Sequence, residues 1–281
     1  MRSDGRFIAQ REDLQPTFTF FARCAANELA ALKACDGSKK LVTASVGSRG
    51  HALAWAAGKM GMRLTVIMPS ATPDTRREAV SRLGSTVLIH GDSIVECHME
   101  ASRMAAKNGY KVVGCHDNPH VIAAGGTAGL EIMRQHGHAH TLLRQSLAAA
   151  EAVSAKTLGT PKRSVLRKPP LIRPELDAIF ISVGGGSLLA GCAHAIKSIS
   201  PHTRVIAVEP ASADVLTRSL LSGHRHTDAS GLASNAEGVF VSQIVSATGF
   251  QPAPNTGTNA PKSTAPCVSV HVYQRLKPAA C

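Results

Sequence analysis

The clearest chemical signal in the sequence is a glycine-rich turn between an apolar strand and a helix. The run from Ser182 to Leu188 reads SVGGGSL and follows the apolar segment Ala178–Val183. Backbone amides that no Cβ crowds, at the start of a helix, are suited to bind a phosphate group. The run has neither the third glycine of a dinucleotide fingerprint nor the lysine of a Walker loop, so neither a dinucleotide nor ATP is implied. A phosphate site, the glycine turn, is predicted at Gly184, Gly185, Gly186 and Ser187. The alternative is a tight turn that binds nothing.

A second turn with similar chemistry follows an earlier strand. Thr43–Arg49 reads TASVGSR, and Ser45, Gly47 and the amides after them are suited to hold a carboxylate (Ser45–Ser48, the serine turn). An N-cap serine without a ligand is the alternative. Both turns lie at the carboxyl ends of predicted strands, where open α/β sheets bind ligands. Together they predict a ligand with a phosphate at one end and a carboxylate at the other.

Alternating histidines at His136, His138 and His140 are the only other pattern that suggests a ligand. Such a pattern can bind zinc, but no cysteine or carboxylate partner is suitably spaced, so no metal site is predicted. The sequence also lacks the hydrolase, zinc-protease and EF-hand patterns G-x-S-x-G, H-E-x-x-H and D-x-D-x-D-G.

Strands and helices are predicted to alternate along most of the chain. The predicted strands are Leu41–Ser45, Leu64–Met68, Thr86–His90, Lys111–Cys115, Ala178–Val183 and Arg204–Glu209. The predicted helices are Gly50–Gly61, Pro73–Leu83, Ser93–Asn108, His120–Arg134, Leu188–Ser198 and Ala213–Leu221. This alternation predicts an α/β fold with a mostly parallel, open twisted sheet and helices on both faces.

Two stretches break the alternation and divide the chain into four parts. Residues 137–174 contain four prolines and no clear period, which predicts a disordered basic insertion. Residues 251–281 are rich in Pro, Thr, Asn and Ala and are predicted to be an irregular tail, with a strand pattern only at Val268–Tyr273. The remaining parts, 1–136 and 175–250, are predicted to form the two halves of one α/β fold.

Composition and charge exclude several classes of protein. Of the 281 residues, 44% are hydrophobic and 18% charged, which excludes a disordered tail, a collagen-like repeat and a coiled coil. The net charge of +12 raises the question of nucleic acid. However, residues 137–174 contribute six of these charges and residues 251–281 three, so most of the excess is predicted to be a solvated insertion and tail. A nucleic-acid partner is therefore not predicted. No run of 18 uncharged apolar residues occurs in the sequence, so no membrane partner is predicted either.

The cysteines predict a reducing environment. There are seven, an odd number, without a C-x-x-C pair, and most lie in apolar stretches. They are interpreted as reduced core thiols of an intracellular, cytoplasmic protein. The N-terminal residues contain no apolar segment typical of a secretory signal.

Several ordered motifs resemble one known family. They are REDLQP (Arg11–Pro16), TASVGSRG, Met68–Gly91, Asp117–Ile132, SVGGGSLLAG, VIAVEP and NAEGV (Asn235–Val239). Over roughly 11–135 and 176–248 the chain resembles pyridoxal-phosphate enzymes of the tryptophan-synthase-β fold (fold type II), specifically threonine and serine dehydratases. The resemblance implies an opening strand and turn at REDLQP and a chain truncated at both ends.

The resemblance also implies a cofactor, a reaction and site residues. The cofactor is pyridoxal phosphate, the partner is a small amino-acid substrate, and the assembly is a homo-oligomer. Threonine or serine loses its hydroxyl by β-elimination, giving ammonia and a 2-oxo acid. The glycine turn holds the cofactor phosphate, and Ser45 and Gly47 hold the substrate carboxylate. The residues expected near the cofactor ring are Ser48, Glu237 and Gly238.

A divalent-metal site of some serine-acting relatives is not expected in this chain. Glu209 and the carbonyl of Ala213 match two of its three ligands. The third, a carboxylate, falls on Val215.

The chain departs from the family at the reactive position. The family's Ser-Phe-Lys-x-Arg-Gly segment corresponds to TFFARC (Thr19–Cys24), so Phe21 replaces the lysine that forms the cofactor imine. Ser48 replaces an asparagine, and Arg49 and Cys24 crowd the site. No catalytic residue is assigned, and weak or absent dehydratase activity is predicted.

Four hypotheses remain from the sequence. The chain is a dehydratase that uses another amine, a non-catalytic relative or subunit that binds the cofactor or an anion, a nucleic-acid-binding protein acting through 137–174, or a decayed product that folds poorly.

Overall fold

The computed structural model describes residues 7–35, 37, 40–137, 176–210, 214–222, 224 and 226, and the backbone of 270–273. The described strands form two parallel sheets. The first has the order β3-β2-β1-β4 and the second β5-β6-β7. The strands of the first are β1 (Lys40–Ala44), β2 (Arg63–Met68), β3 (Thr86–Ile89) and β4 (Lys111–Val112). Those of the second are β5 (Ala178–Ser182), β6 (Arg204–Val208) and β7 (Val270–Tyr273).

Helices cover both faces of the first sheet, which is why its central strands are apolar on both sides. They are α1 (Phe21–Cys35), α2 (Ser48–Met60), α3 (Asp74–Ser81) and α4 (Ile94–Asn108). Leu41 packs with the apolar residues of α1 and α2, whereas the next residue, Val42, packs with Cys97 and Ala101 of α4. This alternation places the carboxyl end of β1 between two cores.

The second sheet carries its own core. Its helices are α6 (Ser187–Ile199) and α7 (Val215–Ser222). A further helix, α5, spans 119–137 and follows the first sheet in the chain. Ala128 of α5 packs with Ile181 of β5 and Ile196 of α6. The helix that leaves the first sheet therefore completes the core of the second.

The crossing of α5 and α6 is built from glycines. A Cβ on Gly191 of α6 would lie 2.9 Å from the carbonyl carbon of Gly125, and closer still to the carbonyl oxygen of Ile122. A Cβ on Gly126 would lie 3.0 Å from the carbonyl oxygen of Gly191. The Sγ of Cys192 donates a hydrogen bond to the carbonyl of Gly125 at 3.2 Å. The two backbones therefore touch with no side chain between them.

The α/β prediction is confirmed, and each predicted strand and helix overlaps an element of the structure. Three features differ. The parallel strands form two sheets rather than one, and helix α1 was not predicted. The REDLQP segment holds a 3₁₀ helix at Glu12–Leu14, not the opening strand implied by the resemblance.

The predicted divisions at 136, 174 and 250 stay predictions. Helix α5 continues to position 137, and 138–175 lie outside the described residues. Within the tail, the strand pattern at Val268–Tyr273 coincides with β7, which pairs in parallel with β6. Among the described residues, no helix has the length and apolar character needed to cross a bilayer.

Candidate functional site

The serine turn follows β1 and is largely satisfied by its own side chain. The Ser45 hydroxyl is buried and accepts hydrogen bonds from the amides of Gly47, at 3.4 Å, and Gly50, at 2.9 Å. A Cβ on Gly50 would lie 3.1 Å from the Ser45 hydroxyl, so this glycine permits the close approach. The hydroxyl thus serves the first turn of α2, as in the capping alternative. Ser48 is exposed, and its role toward the cofactor ring stays a prediction.

The glycine turn follows β5 and has a different character. Gly186 has a left-handed φ of 87° and immediately precedes α6, and no side chain of the described residues caps this helix. Gly185, Gly186 and Ser187 are buried, and Gly184 is half-buried. The uncapped amides at the start of α6 are donors that suit an anionic group.

His116, in the segment after β4, covers the glycine turn. A Cβ on Gly185 would lie 2.5 Å from Nδ1 and 2.7 Å from Cδ2 of His116, so only glycine leaves room for this ring. The imidazole Nδ1 lies 3.5 Å from the Ser187 hydroxyl. Burial, with the nearby charge of Arg49, lowers the pKa of His116 to about 4. The ring is therefore neutral near pH 7.

Phe21 stands beside His116 at the start of α1. Its amide donates to the Thr19 hydroxyl at 3.0 Å, which fixes the first turn of the helix. Its ring centroid lies 4.2 Å from that of Phe20 and 6.1 Å from that of His116. Phe21, the residue predicted to replace the family's lysine, therefore lies near His116, which in turn contacts the glycine turn.

A small cavity adjoins Phe21. The space inside it that the centre of a water molecule can reach is about 10 Å³, so the cavity holds about one water. No lysine is among its described lining residues, which are Phe21, Cys24, Ala25, Glu28, Arg49, Leu53, Gly114 and Val121. Arg49 and Cys24, which are predicted to crowd the site, both line this cavity.

Two opposite charges line the cavity. The Glu28 carboxylate accepts hydrogen bonds from the Gly114 amide and the Asn118 amide group, each at 3.0 Å, and burial raises its pKa. The Arg49 guanidinium donates to the carbonyl of Ala44 at 3.4 Å, and burial lowers its pKa. The buried Nε of Arg49 has no partner among the described residues. Glu28 and Arg49 thus stand beside the cavity with much of their hydrogen-bonding capacity directed to the backbone and to Asn118.

Neither the thiol that lines this cavity nor the described lysines closest to Phe21 in sequence provide an amine at the cavity. Burial raises the pKa of Cys24 to about 12, so it stays a thiol at neutral pH. The Nζ of Lys33 donates to the carbonyl of Met60. Lys33 is twelve residues after Phe21 in α1, which corresponds to about 18 Å along the helix. Lys40 begins β1, at the end of the strand opposite the serine turn.

The remaining site predictions have different outcomes. Glu209 accepts hydrogen bonds from the amides of Leu216, at 3.1 Å, and Thr217, at 2.7 Å, so its carboxylate caps α7. Glu237, Gly238, His138 and His140 lie outside the described residues. No group of three potential ligands (His, Cys, Asp or Glu) suited to a metal occurs within the described ranges. The five cysteines that the structure describes are unpaired: Cys24, Cys35, Cys97, Cys115 and Cys192.

Comparison with known proteins identifies the family to which the chain belongs. The profile of the family "Pyridoxal-phosphate dependent enzyme" matches residues 2–156 and 168–254. The chain belongs to this family. Pyridoxal phosphate is the cofactor that the family implies, and the chain is threonine/serine dehydratase-like.

Similar proteins support this assignment. The chain is 34% identical over 220 residues to "Threonine dehydratase biosynthetic, chloroplastic" of Arabidopsis thaliana, which covers 78% of this chain and 31% of that protein. It is 35% identical over 218 residues to "Threonine dehydratase, mitochondrial" of Schizosaccharomyces pombe, which covers 78% and 30%. The solved structure of processed threonine deaminase isoform 2 from Solanum lycopersicum has a TM-score of 0.68 and 32% identity, covering 85% of this chain and 59% of that one. The chain thus spans about a third of the length of these two curated relatives.

The residues present fit one end of pyridoxal phosphate and not the other. The glycine turn, with its uncapped helix start, fits the phosphate. The resemblance assigns the aldehyde end to residue 21, where Phe21 offers no amine, and the adjoining cavity has room for about one water. The fit is therefore limited to the phosphate.

Proposed function

We propose that this chain is a threonine dehydratase-like protein that binds pyridoxal phosphate, or another small phosphate ester, at the glycine turn without a covalent bond. It turns over threonine or serine slowly or not at all. The observation that supports this most directly is the Phe21 ring at the start of α1, packed against Phe20 and near His116.

The chemical argument depends on the amine. A phenyl ring cannot form an imine, and removing a covalent nucleophile typically lowers rates by many decades. The described lysines nearest in sequence, Lys33 and Lys40, lie away from the site. The anion-binding amides of the glycine turn do not depend on the identity of residue 21, so binding and turnover are separable.

The test is to look for a covalent adduct and for product. We expect the purified chain, mixed with equimolar pyridoxal phosphate and reduced with borohydride, to show no stoichiometric adduct at any single lysine. We also expect no 2-oxo acid from L-threonine or L-serine. A cofactor adduct on any lysine together with 2-oxo acid release would contradict the proposal.

Restoring the amine provides a matched pair of variants. Phe21→Lys places an amine beside His116, and we expect it to give a borohydride-fixed adduct at residue 21. Phe20→Lys adds the same charge one position earlier, and we expect no adduct at residue 20. Adducts of equal yield in both variants would show that position 21 is not special.

A second candidate is an active dehydratase that uses another lysine. The family match and the names of the relatives favour it. Peptide mapping of the reduced mixture distinguishes it, because it requires an adduct at a defined lysine other than residue 21. A nucleic-acid role through 137–174 has no structural support, since most of this segment lies outside the described residues. Deleting the segment, with binding measured at several salt concentrations, tests it.

The substrate, assembly and compartment are also proposals. We expect a small amino acid as the ancestral substrate and a homo-oligomer as the assembly. We expect an intracellular, cytoplasmic location, where the cysteines stay reduced.

A further inference from the structure

Within the described part of the chain, the His116 side chain lies between Phe21 and the glycine turn. Its ring contacts Gly185 so closely that a Cβ there would lie 2.7 Å from Cδ2. It also lies near Phe21, with 6.1 Å between ring centroids at a tilt of 59°. The imidazole therefore stands on the flank of the glycine turn that faces α1.

That flank is where a cofactor ring has to lie. In pyridoxal phosphate one CH₂–O link joins the pyridine ring to the phosphate, so a phosphate in the glycine turn places the ring immediately beside it. The family's covalent bond further requires the ring to reach residue 21. Since His116 contacts both places, its imidazole and the pyridine ring compete for one volume. Inorganic phosphate carries no ring and meets no such conflict.

Arg49 is a half-buried cation close to this volume. Its Nε is buried and lacks a hydrogen-bond partner among the described residues. A buried donor without a partner is costly unless an anion or a water completes its hydrogen bonds. Its positive charge also acts on His116.

We propose that His116 determines which phosphate-bearing ligands the glycine turn accepts. Inorganic phosphate enters beside the imidazole, whereas an ester that carries a pyridine ring binds only after the imidazole has moved away. This inference rests on the proposed function, because it concerns the ligand of the same non-covalent site.

The test uses pyridoxine 5′-phosphate, which has the ring and the phosphate but no aldehyde and therefore cannot form an imine. Its affinity for the full-length protein is measured by titration calorimetry, beside inorganic phosphate and phosphate-free pyridoxine. We expect His116→Ala to bind pyridoxine 5′-phosphate at least about tenfold more tightly than the unchanged protein. We expect the affinity for inorganic phosphate to stay the same.

Three further variants separate size from other effects. His116→Phe keeps the bulk and loses the nitrogens, and we expect no gain in affinity. His116→Ser removes the ring in a second way and should repeat the gain if His116→Ala folds poorly, which thermal unfolding shows. His194→Ala, an exposed histidine of α6, should behave like the unchanged protein.

The outcomes that overturn the inference are distinct from those that overturn the proposed function. Weaker binding of pyridoxine 5′-phosphate by the Ala and Ser variants would make His116 a ligand rather than an obstacle. Equal binding by all variants, or no binding of inorganic phosphate by any of them, would also overturn the inference. Results at His116 leave the proposed function untouched as long as phosphate binds. An imine with turnover, or no binding of any phosphate ligand, would overturn the proposed function itself.

Discussion

The two turns at the carboxyl ends of β1 and β5 look alike in sequence but differ in how they use their hydrogen-bond donors. In the serine turn, the Ser45 hydroxyl already accepts from the amides of Gly47 and Gly50. In the glycine turn, no described side chain caps α6, and the nearest side chain is the His116 ring packed on Gly185. A serine before a glycine thus satisfies its own helix, whereas a glycine run leaves donors for a ligand.

The two turns also differ in the space around their glycines. A Cβ on Gly47 would meet only the Arg76 guanidinium, at an ordinary contact distance of 3.6 Å, whereas a Cβ on Gly185 would collide with His116. Glycine is therefore required in the second turn by packing and is merely tolerated in the first. Substitutions at matched positions test this distinction.

The largest effect is expected from a carboxylate in the glycine turn. Gly185→Asp introduces both a steric conflict with His116 and a negative charge at the start of α6, so we expect phosphate affinity to fall at least about 100-fold. Gly47→Asp places the same group in the serine turn, and we expect phosphate affinity to change little. Calorimetry with inorganic phosphate measures both, and equal losses would contradict the assignment of phosphate to the second turn.

A double-mutant cycle tests the contact between Gly185 and His116. Gly185→Ala overpacks the turn and should lower the free energy of unfolding by about 2 kcal/mol. Adding His116→Ala removes the ring and should recover at least half of that loss. Urea denaturation measures the four proteins, and strictly additive effects would show that the two residues do not touch.

The buried imidazole predicts a specific acid sensitivity. The pKa of His116 is about 4 in the folded protein and is expected near 6.5 in the unfolded chain. Below pH 6.5 the unfolded state binds a proton that the folded state does not, so stability is lost as the pH falls toward 4. Between pH 7 and pH 5 we expect His116 to lower the free energy of unfolding by about 1–2 kcal/mol.

The comparison with His116→Phe isolates that contribution, because carboxylates such as Glu12 and Glu100 titrate in both proteins. The pKa of His98 is also lowered by burial, so the variant retains part of the dependence. Identical pH profiles for the two proteins would place His116 in solvent.

The smallest effect is expected in the serine turn. Ser45→Ala removes the acceptor for the Gly50 amide and should cost about 1 kcal/mol of stability while leaving phosphate affinity unchanged. Ser198→Ala, which removes an exposed hydroxyl of α6, serves as the control and should change stability by a few tenths of a kcal/mol. A large drop in phosphate affinity for Ser45→Ala would show that the two turns form one phosphate site.

The sequence predicted the regular part of the fold because strand–helix alternation is a local pattern. Helix α1 was missed although local signals were present. Thr19 caps it, and small buried residues such as Ala22 and Ala25 recur along one face. Alanine contributes little to an apolar pattern, so the period was weak. The family motif at Thr19–Cys24 concerns single residues, and it does not indicate that a helix begins at Phe21.

The part of the site that could be predicted from the sequence is again the part that a local pattern encodes. The glycine turn is a contiguous motif, and its place before α6 follows from sequence order. The contact of His116 with Gly185 joins residues 69 positions apart and depends on how α5 crosses α6, which no spacing reveals. Similarly, β7 pairs with β6 across a long stretch of chain, so its pattern alone did not assign it to a sheet.

The glycine crossing of α5 and α6 limits how the two sheets can move. With Gly125 and Gly126 against Gly191, the helices meet backbone to backbone, and sliding either one along its axis would drive a larger residue into a carbonyl group. Relative motion of the two helices is then expected to be a rotation about this crossing. The crossing thus acts as a pivot between the helix that follows the first sheet and the helix of the second.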